Sequence, residues 1–220
     1  MTASWEERLG WTRGLLSPDP AARATALRRH RAAQEAVGAA ITAYNRHWIQ
    51  PRTPAWQAAL DGWRAADAVA FPNGLWRSMY DRRRGFTDPE AVPYALTFLE
   101  WEARDPAVWT THAKKWGTKS LLIRALSRHC PGTAHRARLT TLVELALTRP
   151  YRCKDRRYTA AARTVDSPAL RATLTRLAES DNPWARLTAP YVLSRLEDPT
   201  LPDTLPAWRR YLNGRAMPPR

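Results

Sequence analysis

The chain has 220 residues, two cysteines and a formal net charge of +15, which allows a sizeable core and excludes a disulfide framework. No window approaches the roughly 20 apolar residues of a membrane span, and the N-terminal M-T-A-S-W-E-E-R-L lacks the apolar core of a secretory signal. A soluble protein of the reducing cytoplasm is expected, with no membrane partner.

Ala, Leu and Arg dominate, β-branched residues are scarce and there are 9 glycines, which favours an all-α fold. Eight of the 18 prolines follow Ser, Thr, Asp or Asn. Such pairs mark helix starts, because the side-chain oxygen accepts from a first-turn N–H and proline at the first position loses no bond. In chain order the pattern predicts helices over 4–16, 20–49, from Thr53-Pro54, over 74–83 with a stop at Gly85, and from Asp88-Pro89 through Trp101. Pro93 sits awkwardly in the first turns of that last helix, so its start is expected to lie later than the cap. Asp105-Pro106 opens a helix to about Trp116, Thr118 caps one to about His129, and helices follow over 133–148 and 151–165, then a pair within 166–199 and a last short one near 205–212. One helical-repeat domain over 1–213 is expected, with a frayed tail over 214–220.

Two of these helices form a hairpin. Ser167-Pro168 starts a helix with Leu170, Leu174 and Leu177 on one face, and Asn182-Pro183 starts another carrying Trp184, Leu187, Tyr191 or Val192, and Leu196. The short connection forces them antiparallel. The stretch 166–199 resembles a HEAT-type repeat on Asp181, Pro183, Arg186, Ala189 and Leu193, with Pro190 departing from the pattern and expected to kink the helix. A shorter signature, Pro-x-x-Arg, recurs at 19–23, 167–171 and 182–186, with Trp109 in the Arg place at 105–109. The resemblance implies a HEAT-like α-α superhelix of antiparallel hairpins, and nothing by itself about activity.

Charge is unevenly distributed. Residues 1–110 hold 14 basic against 12 acidic residues, and 111–220 hold 21 against 8. An asymmetry of this size points to an anionic partner, either nucleic acid (DNA or RNA) or an acidic protein. On a helix from about 149, Arg149, Arg152, Arg156 and Arg163 share one face while Tyr151, Tyr158 and Val165 share another. With Lys114, Lys115, Lys119, Lys154 and Arg157 they make the expected phosphate-binding face. The alternative for the same residues is a solvated basic surface. Most of the eleven tryptophans are expected to pack between helices. Trp109 and Trp116, seven apart beside Lys114 and Lys115, are the candidates for stacking on a base.

Catalytic patterns are absent from the sequence: it contains no G-x-S-x-G, no Gly-rich phosphate loop and no Cys/His spacing suited to zinc. No catalytic residue, metal ligand or cofactor is assigned. In its broad features the chain resembles the HEAT-like alkylpurine DNA glycosylases, small basic all-helical enzymes that place Trp, Arg and Asp around DNA. Asp105 with Trp109 and Trp116 is the counterpart that resemblance suggests. Three functions follow as expectations: a non-catalytic nucleic-acid-binding module, a scaffold gripping an acidic protein, and a glycosylase-like enzyme.

Overall fold

The structure is a computed structural model that describes residues 3–49, 53–78, 86, 88–130, 132–215 and 217–218, with the side chains of 76–78 left aside. It is all-helical, with no strand among the described residues. No described helix is long and apolar enough to cross a membrane. Its contacts divide the chain into two compact units, Met1–Tyr80 with Pro93–Lys114, and Asp81–Val92 with Lys115–Arg220.

The first unit contains α1 (Trp5–Leu9), α2 (Pro20–Arg46), α3 (Pro54–Val69), nearly all of α4 (Val92–Arg104) and α5 (Pro106–His112). Ser4 caps α1 in a reciprocal box with Glu7, and the chain then tightens into a 3-10 segment, Gly10–Leu16, where a continuous helix was expected. Gly14 fits there because an added Cβ would lie 2.9 Å from the Cβ of Ala26 on α2. Asp19, Thr53 and Asp105 each accept first-turn N–H groups ahead of a proline, as the sequence predicts. Rings fill the interior: Trp11, Phe71, Phe98 and Trp109 follow one another at centroid distances of 6.3, 5.6 and 5.6 Å, and His30 sits edge-on to Trp101. The helix expected over 74–83 is a 3-10 segment, Asn73–Ser78, and its continuation to Gly85 lies outside the described residues. Asp88 caps a 3-10 turn, Pro89–Ala91. Helix α4 starts after it, so Pro93 falls in the first turn, where a missing N–H costs no helical bond.

The second unit contains α6 (Trp116–Arg128), α7 (Thr133–Leu147), α8 (Tyr158–Thr164), α9 (Pro168–Glu179), α10 (Pro183–Glu197) and α11 (Leu205–Leu212). The expected hairpin is present: α9 and α10 pack together across three residues of connection, burying Leu170, Leu174, Trp184, Leu187, Tyr191, Val192 and Leu196. Each such side chain contributes about 1.5–3 kcal/mol on burial. Helix α10 runs through Pro190 as one element. Asn182 fixes its start twice, accepting from the Trp184 and Ala185 N–H groups at 2.9 and 3.1 Å while its amide donates to the Thr148 carbonyl at 2.7 Å. Helix α8 packs against α6, α7 and α10, so the segment entering it lies among three helices.

Three expected helix boundaries shift here. The helix expected to reach Trp116 ends at His112, because the Ala113 and Lys114 N–H groups both return to the Trp109 carbonyl and Lys114 turns to φ +22°. Helix α6 then starts at Trp116, before Thr118. The helix expected over 151–165 starts only at Tyr158. Arg149 precedes Pro150, which disfavours the helical region for it. Lys154 adopts left-handed φ +75° ahead of a 3-10 turn, Asp155–Arg157.

Candidate nucleic-acid interface

The loop from α7 to α8 is organised by one carboxylate. Asp155 is buried, and its Oδ2 accepts from the Arg152 N–H at 2.8 Å, closing the loop over the left-handed Lys154. Its Oδ1 accepts from Lys119 Nζ at 2.5 Å and from Arg149 Nη2 at 3.2 Å. Lys119, on α6, has 0% exposure. A lysine so far from water requires a counter-charge. The ammonium also lies 5.5 Å from the Trp116 ring and 5.8 Å from the Tyr158 ring, and the Arg152 guanidinium lies 5.3 Å from Trp116. These rings face cations with their negative π-clouds, which adds to the support of the cluster.

This arrangement corrects the expected basic face. Arg149, Arg152, Arg156 and Arg163 do not share a helix, so they form no helical stripe. Lys119 is an internal ion-pair partner and is removed from any surface. Arg149 turns inward to the same carboxylate. Arg156 donates through Nη1 to the Asp203 carbonyl at 2.7 Å and carboxylate at 2.8 Å, which ties the loop to the segment before α11. Arg163 donates to the Arg195 and Leu201 carbonyls at 3.1 and 2.8 Å, satisfying backbone acceptors at the end of α10 and beyond it. Trp109 belongs to the first unit and has 0% exposure, so it cannot stack on a base. Trp116 is half-buried with Arg152 and Lys119 at its ring.

Other expected residues do reach solvent. Lys154 is exposed, Lys115 and Arg157 are half-buried, and Lys114 is exposed at the end of the first unit. Arg124 was missed by the sequence reading and is exposed on α6, on the ridge of Gly117, Leu121, Arg124 and Arg128. Spacings of 4, 3 and 4 residues made that ridge readable. Arg136 on α7 and Arg186 on α10 are exposed as well. Cys153 is exposed beside Lys154, whereas Cys130 is buried and burial pushes its thiol pKa up. Burial likewise raises the Tyr151 phenol, whose ring stacks on Trp208 at 5.6 Å. Among the described residues, no group of three His, Cys, Asp or Glu side chains is arranged to hold a metal ion.

Comparison with family models, with curated proteins and with solved structures gives no match to the chain. The HEAT-type and glycosylase resemblances therefore rest on the residues quoted for them.

Proposed function

We propose that the second unit, a HEAT-like assembly of helical hairpins, is a non-catalytic module that binds the phosphate backbone of DNA or RNA. The observation that carries the reading is the charge left over once the internal pairs are formed. Asp155 and Asp203, which lie close to the basic segment, are already engaged by Lys119, Arg149 and Arg156. Arg124, Arg136, Lys154 and Arg186 are exposed and have no ion-pair partner among the described residues. Cations held at a surface without carboxylates attract a polyanion over a Debye length of about 8–10 Å, and each phosphate they neutralise releases counterions.

Binding to duplex and single-stranded oligonucleotides at about 50 and 200 mM salt tests this. A steep fall in log K with log[salt] is expected, roughly in proportion to the phosphates contacted. Arg124→Glu with Lys154→Glu should weaken binding to every sequence alike and flatten the slope. The control pair Arg28→Glu with Arg29→Glu, in the near-neutral half of the chain, should do much less. No binding at low salt, with capture of an acidic protein instead, moves the function to a scaffold for such a partner.

A further inference from the structure

We propose that the first unit binds a small amino acid bearing two carboxylates, in a cavity between the segment that enters α2 and the junction of α4 with α5. The cavity has a volume of about 590 Å³, inside the range of small-molecule sites, about 300–1,000 Å³. All of its lining belongs to the first unit. Leu15, Leu16 and Pro18 give it an apolar wall. Its charged side chains are Arg23, Arg104 and Asp105, and none of the three has an ion-pair partner among the described residues.

Most of these polar groups are held in place by the chain itself. Arg23 donates through Nη1 to the Ser17 and Pro18 carbonyls at 2.7 and 3.2 Å, which fixes the guanidinium while its Nε and Nη2 donors stay unused. Ser17, also in the lining, accepts from the Asp19 N–H at 3.2 Å through Oγ, so its hydroxyl proton is left to donate. Asp105 Oδ1 accepts from the Val108 N–H at 3.4 Å, and Oδ2 stays open. Groups fixed before a ligand arrives lose little freedom on binding it. Two cations and one anion thus share a cavity without pairing among themselves. A ligand with two carboxylates and one ammonium answers them one to one. Guanidinium forks match carboxylates in spacing and charge, the ammonium pairs with Asp105, and the methylenes lie on the apolar wall. A dicarboxylate without the amine brings only like charge to Asp105, and a diamine meets two arginines.

This site goes beyond the nucleic-acid reading and does not rest on it. The test is calorimetric titration of the full chain with glutamate and with glutarate, which has the same two carboxylates and no amine. Glutamate is expected to bind saturably, and glutarate roughly 10-fold or more weakly. Arg104→Gln should weaken glutamate by a similar factor of roughly 10. Asp105→Asn keeps an equally good helix cap, and it should weaken glutamate while strengthening glutarate, so that the preference for the amine is lost. Both variants should melt close to the wild type, since Arg104 has no partner to lose and the cap survives. If either melts well below it, the preference of the wild type between the two ligands decides alone. No saturable heat with glutamate at millimolar concentration, or equal affinity for glutamate and glutarate, overturns the site. So does a folded Arg104→Gln protein that binds as the wild type does, or a folded Asp105→Asn protein that keeps the preference.

Discussion

In the first unit the interior is a succession of rings, from Trp11 through Phe71 and Phe98 to Trp109, while the ion pairs Arg13–Glu6 and Arg64–Asp61 lie on the surface. In the second unit a lysine and a carboxylate lie inside, and arginines at 149, 156 and 163 fold back onto acceptors of the same unit. The first interior fills its volume mainly with these rings, and it also encloses the carboxylates of Glu100 and Glu102 on α4. The second needs charges matched one to one, and each cation so matched is withdrawn from the surface. A count of basic residues therefore overstates what the second unit can offer an anionic partner.

The sharpest test of that contrast removes one group from each interior. Asp155→Ala leaves Lys119 and Arg149 without their counter-charge and should cost about 3–5 kcal/mol in urea denaturation. Trp109→Ala should cost a similar ~3–5 kcal/mol, through the cavity left beside Phe98. Trp116→Ala, at a half-buried ring, should cost clearly less. If Asp155→Ala were nearly neutral, the second interior would be held by apolar packing and the distinction between the units would disappear.

A smaller effect is expected at the α7–α10 junction. Asn182→Ala removes a helix cap and the bond to the Thr148 carbonyl, and should cost about 1–2 kcal/mol. The double change with Thr148→Ala keeps that carbonyl and should show little coupling. Strong coupling would mean that the side chains, and not the backbone, join the two helices.

The smallest effect belongs to the surface of the first unit. The Glu6 carboxyl is held below its ordinary value of 4.5 by hydrogen bonds from Arg13 and then from Tyr94. A lowered pKa gives stability that is present above the unfolded value and lost as pH falls through the folded one. Glu6→Gln should therefore lower Tm slightly at neutral pH and flatten its decline below about pH 4.5 by a matching amount, so that the two proteins converge in acid. An acid limb identical to wild type would show that this exposed pair contributes nothing measurable, as many do.

The helix starts were legible because a cap and its proline lie next to each other. Asp19, Thr53, Asp105, Ser167 and Asn182 all cap as expected. The basic segment was misread for the opposite reason. Lys119 meets Asp155 across 36 residues and Arg156 meets Asp203 across 47, so no local pattern separates an internal arginine from a free one. One local signal was available and went unused. Arg149 precedes a proline, which argues against a helix starting there. The left-handed turn at Lys154 had no signature, since glycine or asparagine is the usual sign of it. Arg124 has no cation next to it in sequence and so lies outside every basic run, although Arg128 shares its ridge one turn on.

The two cysteines give the loop between α7 and α8 a reporter of its own. Cys153 is exposed, while Cys130 is buried with its thiol pKa raised, so an alkylating fluorophore applied to the folded protein should attach at one place. That place is adjacent to Lys154 and two residues from Asp155. Emission from it would follow the loosening of the Asp155 contacts without any substitution in the chain.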